Sequence, residues 1–233
     1  MPFRHQWGDF PPLQILSNGT KLAQHPAHFD ASHGDVEAAR RLIHDLAPSP
    51  PPLAPAFVCP VVHLDMTQKW DAIPYALAEL FAKHYRAKIV LNVVQTNINP
   101  EGTPYSTSRL LNQPTFDGTP PQGSYLILDS FARLGSTIAN LRSHLITHGA
   151  KPLAASVLSF AHFSNRLALD PSLLRLLSAK HGSHLGTIKE TLGFSPECLT
   201  QREAHFLIGI HNLEALRNPQ LQTNRVISNS FGV

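Results

Sequence analysis

The chain has 233 residues, 42% of them hydrophobic and 15% charged, with a formal charge of +3 and 14 histidines. It is long enough for one sizeable domain with an accessory piece and too apolar for a disordered chain. No Lys/Arg run marks a nucleic-acid tail, and no apolar stretch approaches the ~20 residues of a membrane span. No basic-then-apolar leader follows Met1, so a cytoplasmic protein is the expectation. The two cysteines, Cys59 and Cys198, form no CxxC and no zinc framework. Both sit in apolar company and read as buried free thiols.

In chain order, residues 1–30 are rich in Pro, His and aromatics without a clear period, and read as an irregular arm. Val36, Ala39, Leu42, Ile43 and Leu46 then recur at helical spacing behind a capping Asp35. Pro48 to Pro55 is an extended connector, because proline fixes φ and lacks the N–H. Ala56 to Leu64 has strand length and composition. Asp65 to Trp70 follows as a loop, and Asp71 opens a helix with Ile73, Ala76, Leu77, Leu80, Phe81 and Tyr85 on one face. Pro74 sits in its first turn, where the missing donor costs little. Ala87 to Thr96 is a second apolar strand, and 97–124 a long segment full of turn signals, of the kind that carries function or moves. Ser124 to Asp129 is a third strand, Ser136 to His148 a helix ended by Gly149, and Pro152 to Phe160 a fourth strand. Asp170-Pro171 starts a helical tail. It continues with a short helix within His184 to Gly193, a capping box at Thr200-Gln-Arg-Glu203 and a last helix over Asn212 to Arg217.

Continuous apolar strands alternating with amphipathic helices predict an α/β fold, a parallel central sheet flanked by helices. The chain divides into an arm, helix and Pro-rich connector (1–55), an α/β core (56–165) and a helical C-terminal extension (166–233). Ligands of such sheets bind beyond the carboxyl ends of the strands, which directs attention to three loops: Asp65 to Trp70, 97–124 and Ser130 to Ser136. In the third, an apolar strand delivers Asp129, and Gly135-Ser136-Thr137 enters a helix. Helix N-termini bind phosphate through free N–H groups and a partial positive charge, although the same pattern also describes an ordinary capped helix.

YLILDSFARLGST (Tyr125 to Thr137) resembles the phosphoribosyl-diphosphate signature of type I phosphoribosyltransferases. That signature is an apolar strand, two acids, a short loop with an acid and a Thr, then Gly-x-Thr/Ser. PVVHLDMTQKWDAIPYALAELFAKHY is similar to the family's first strand, pyrophosphate loop and helix. The 97–124 segment falls where the family has a hood, and ITHGAKPLAASVLSF resembles its next helix-to-strand step. Coverage runs from Phe57 to Phe160.

The resemblance implies a Rossmann-like, phosphoribosyltransferase-like core and transfer of a phosphoribosyl group from phosphoribosyl diphosphate, with Mg²⁺ on the substrate's pyrophosphate, to a nitrogenous acceptor. It implies that Asp129 holds a ribose hydroxyl, with Ser130 beside it. It implies that Ala132, Arg133, Leu134, Gly135, Ser136 and Thr137 wrap the 5′-phosphate. Asp65 and Lys69 would face the pyrophosphate, with Arg109 closing from the hood. The departures are specific. Ser130 replaces the second acid and carries no charge to favour a Mg²⁺-ribose complex. Arg133 and Leu134 replace the loop acid and Thr, and an arginine is no general base. These changes favour an alternative, a catalytically inactive phosphosugar or nucleotide sensor on the same fold. A third reading is a partner-binding protein with a relic pocket. The expected partners are phosphoribosyl diphosphate or another phosphosugar or nucleotide and a second copy in a homodimer, without membrane or nucleic acid. The Ile188 to Ile210 helices superficially suggest a helix-turn-helix, but the second begins Gln201-Arg202-Glu203 and lacks a basic face.

His144 and His148 lie four apart on one helix, a spacing that can chelate a metal. They lack an intervening Glu or an obvious third ligand, and they also suit the helix C-terminus as plain surface cations. His25 with His28 and His181 with His184 read as loop histidines.

Overall fold

The computed structural model describes residues 3–63, 70–97, 110–161, 164–210 and 213. Five parallel strands form the sheet, in the order β1-β7-β6-β2-β3. They are β1 (Gln14–Ile15), β2 (Phe57–Pro60), β3 (Lys88–Ile89), β6 (Ser124–Ala132) and β7 (Lys151–Phe160). Two short antiparallel strands, β4 (Val94–Gln95) and β5 (Phe116–Asp117), pair apart from it. The helices are α1 (Gly19–Gln24), α2 (His28–Ser32), α3 (Val36–Leu46), α4 (Ile73–Tyr85), α5 (Ser136–Thr147), α6 (Pro171–His181), α7 (Leu185–Leu192) and α8 (Gln201–Gly209).

Period-2 alternation sorts β6 between two cores. Leu126 and Leu128 face Leu42, Leu77 and Phe81 of α3 and α4. Tyr125 and Ile127 face Ile138, Leu141 and Leu145 of α5. Both faces of the central strands are thus covered, which is why they read as unbroken apolar runs. The tail builds a third core from Leu173, Leu177, Ile188, Leu192, Phe194 and Leu207. Asp35 caps α3 by accepting the Ala38 N–H at 2.9 Å, and the Thr200–Glu203 capping box forms at α8. Cys59 and Cys198 are free and buried, and burial pushes the Cys59 thiol up to about 12. Among the described residues no helix is long and apolar enough to cross a membrane.

The structure departs from the sequence reading in three places. The arm is more regular than its composition suggests. Asn18 caps α1 by accepting the Thr20 N–H, and Gln14–Ile15 pairs with Ser156–Val157 as a fifth, edge strand. Arg142 of α5 holds the arm by donating to the carbonyls of Gln6 (3.0 Å) and Trp7 (2.9 Å). Second, the apolar run from Ala87 divides. Its start enters the sheet as β3, while Val94–Gln95 leaves it to pair with β5. Third, β6 continues past Asp129 to Ala132, paired with Ser159 and Phe160 of β7. The helix expected over Asn212 to Arg217 lies outside the described residues apart from Leu213.

Gly118 ends β5 with φ +101°, and a Cβ there would stand 1.7 Å from the Asn92 carbonyl oxygen. Both the backbone conformation and the fixed carbonyl oppose any side chain. Gly118→Ala is expected to cost at least ~1–3 kcal/mol, read as a lower urea midpoint. An unchanged midpoint would mean that the β4–β5 unit yields freely.

Candidate functional site

The order β3-β2-β6-β7 places the first strand of the core beside the third. The connections leave β2 and β6 in opposite directions across the sheet, so the crevice where such folds bind ligands opens beyond their carboxyl ends. There the described structure brings together Asp129 and Ser130 of β6, Asp71 before α4, and His63 after β2. Asp129 is 7% exposed, and its Oδ1 accepts the Ser130 N–H at 2.8 Å. The Ser130 hydroxyl donates to Asp71 Oδ2, while Asp71 Oδ1 accepts the Ile73 N–H at 2.9 Å. The helix start therefore fixes the carboxylate that holds Ser130.

Burial raises the Asp129 carboxyl to about 8, the Asp71 charge adds to this, and the N–H groups of Ser130 and Phe131 oppose it. Burial also raises Asp71, against the Ser130 hydroxyl, the Ile73 N–H and the nearby His63 and His28. Two acids this close do not both ionise readily. Burial and the neighbouring Asp71 charge both favour the protonated form of Asp129, a carboxylic acid able to donate as well as accept. His63 Nδ1 is buried with no hydrogen-bond partner. Together these groups suit hydroxyls better than a metal. A neutral acid and a serine turned onto Asp71 fit a Mg²⁺-ribose complex poorly, and no group of three acidic, histidine or cysteine side chains among the described residues could hold a metal ion.

The phosphate cradle expected at the start of α5 is closed by the chain itself. Gly135 takes φ +80° at the N-cap, with no side-chain cap. A Cβ on it would lie 2.4 Å from Leu167 Cδ2 and 3.5 Å from Thr200 Cγ2. The Thr200 hydroxyl donates to the Leu134 carbonyl at 2.6 Å. The Ser136 hydroxyl donates to Glu203 Oε1 at 2.5 Å. The positive end of α5 therefore already faces a carboxylate. Glu203 is 0% exposed and takes a two-pronged pair from Arg4, Nη1 to Oε2 at 2.6 Å and Nη2 to Oε1 at 2.8 Å. Arg4 also reaches Gln113 Oε1 (2.6 Å), the Cys198 carbonyl (3.2 Å) and Asn140 Oδ1. Burial pushes the Glu203 carboxyl up, but the charge and hydrogen bonds of Arg4, with Ser136 and the Thr200 N–H, bring it below its ordinary value.

The remaining expected residues scatter. Ala132 is buried in β6. Arg133 is exposed, its guanidinium 5.5 Å from the centre of the Phe131 ring. Leu134 and Thr137 are half-buried at the loop. Asp65, Lys69 and Arg109 lie outside the described residues. The sequence reading missed Asp71 as a site residue, taking it only as a helix opener, and Glu203, taking it only as half of a capping box. The Glu203 signal was present, since it stands four residues before Leu207 on the apolar stripe of α8, where an acid needs a buried partner.

No protein-family model matches the chain. A curated protein, Protein TraN of Escherichia coli, is similar to it, 31% identical over 229 residues, covering 92% of this chain and 50% of that protein. The chain thus spans half the length of that relative. Two solved structures are also similar. One is an adenine phosphoribosyltransferase with TM-score 0.32 and 13% identity, over 61% of this chain and 75% of that one. The other is adenine phosphoribosyltransferase from Rhodothermus marinus DSM 4252, with TM-score 0.35 and 16% identity, over 67% and 80%. The fold class stands on the chain's own parallel sheet with helices on both faces.

Proposed function

We propose that the chain is a binding module that recognises a nucleotide or phosphosugar through its sugar hydroxyls at the carboxyl ends of β2 and β6, and transfers nothing. The observation that carries this reading is the Glu203 carboxylate on the Ser136 hydroxyl. A 5′-phosphate seated at the start of α5 would meet that carboxylate and the space filled by Leu167 and Thr200. Phosphoribosyl transfer in the manner the resemblance implies requires that seat, and also a charged pair of acids where this chain has Asp129 and Ser130. The neighbouring cluster is differently suited. A protonated Asp129, the Ser130 hydroxyl and the Asp71 carboxylate offer donors and acceptors to a diol.

Calorimetry and a pyrophosphate-release assay test this together. A ribonucleoside or ribonucleotide is expected to bind, with at least tenfold weaker affinity in Asp71→Ala. The 2′-deoxy analogue is expected to bind less tightly, because it leaves buried polar groups unpaired. Phosphoribosyl diphosphate with Mg²⁺ should release no pyrophosphate across purine, pyrimidine and amine acceptors. Robust release with any acceptor would overturn the reading.

A further inference from the structure

A second group of side chains lies away from the sheet crevice, on the carboxyl half of α5. His144 and His148 are four residues apart, so they share one face of the helix. Both are half-buried, and their ring centres are 4.3 Å apart. His144 Nε2 lies 2.7 Å from the Gly118 carbonyl oxygen. A carbonyl only accepts, so Nε2 carries the proton and Nδ1 keeps its lone pair. His148 Nδ1 lies 2.8 Å from the His144 carbonyl oxygen. By the same reasoning its Nε2 keeps the lone pair. Each imidazole therefore donates one N–H to a backbone carbonyl and retains one basic nitrogen. That is the arrangement of metal-binding histidines, whose second nitrogen is held by a carbonyl or carboxylate.

The surroundings agree. His144 lines a cavity of about 230 Å³ with Phe3, Pro114, Thr115, Phe116, Asn140 and Thr147. No group of three ligating side chains forms among the described residues, so an ion held by these two imidazoles would complete its coordination with water.

We propose that His144 and His148 form a two-imidazole chelate for a divalent transition ion of the class imidazole prefers, Zn²⁺ or Ni²⁺. The site is independent of the crevice at Asp129 and of any ligand bound there. It is tested by titrating the full chain with Zn²⁺ and separately with Ni²⁺, reading calorimetry and the thermal midpoint. Wild type should take up one equivalent with a rise in midpoint, since an ion bound to the folded form alone stabilises it. His148→Ala and His144→Ala should each lose that uptake, and His184→Ala should keep it. His144→Ala also removes the bond to Gly118, so His148→Ala decides if the former folds poorly. Uptake by His148→Ala equal to wild type would assign the ion to other histidines and overturn the proposal, as would no uptake by wild type.

Discussion

Glu203→Ala should lower the unfolding free energy by about 3–5 kcal/mol, the usual cost of leaving one member of a buried ion pair alone. Arg4 is 3% exposed and Glu203 0%, so neither charge can recover water when its partner is removed. Arg4→Ala should cost as much, by leaving Glu203 buried and charged. The double replacement Arg4→Met with Glu203→Leu should recover a large part of the loss, because two apolar groups need no partner. Recovery stays incomplete, since Ser136 and Gln113 lose the carboxylate they donate to. Urea unfolding of wild type, Arg4→Met, Glu203→Leu and the double replacement forms a double-mutant cycle. Additive losses would show that the two side chains do not act as a pair. The pH dependence has a definite sign. Glu203 is held below its ordinary value, so its stabilisation is present at neutral pH and is lost as pH falls through that lowered folded-state value. Because the pair joins residue 4 to residue 203, its loss should lower one cooperative transition rather than release the tail alone.

Asp129→Asn should remove the pH dependence that Asp129 contributes at the crevice. Burial, with the Asp71 charge beside it, raises the folded-state Asp129 carboxyl to about 8, whereas an unfolded aspartate releases its proton near ~3.9. A group raised in this way contributes stability below the unfolded value and loses it as pH rises through the folded one. Wild type should therefore lose stability relative to Asp129→Asn as pH rises from about pH 4 towards pH 8. The asparagine has nearly the shape of the neutral acid and does not titrate. Paired urea curves at pH 5 and pH 8.5 measure the difference. Parallel behaviour at both values would mean that Asp129 is ionised throughout, and would remove the protonated acid from the proposed diol site.

Much of the architecture was legible without coordinates. The four longer apolar runs, the Asp35 cap, the Thr200–Glu203 box and the Gly135 helix start depend on interactions within a few residues. Period, capping and turn chemistry report those directly. Asp129 was legible for a similar reason, as an acid ending an apolar strand in a parallel sheet. The arm was harder, because β1 is two residues long and becomes a strand only through β7. The division of the run from Ala87 depends likewise on which partner each half meets.

The site was divided along the same line. Sequence by itself determined that β6 delivers Asp129 to the crevice and that Gly135-Ser136-Thr137 begins a helix with its positive end exposed to whatever lies beyond it. Only the tertiary structure decided what lies there. Glu203 comes from 67 positions along the chain, carried on a helix whose own capping already accounts for it, and its countercharge comes from Arg4 in the arm. Asp71 reaches Ser130 across 59 positions. Local rules give a side chain its element and its face. Burial, and the pairing that burial makes obligatory, join groups far apart in sequence; those long-range pairs fill the cradle, while burial and the Asp71 charge raise the Asp129 carboxyl.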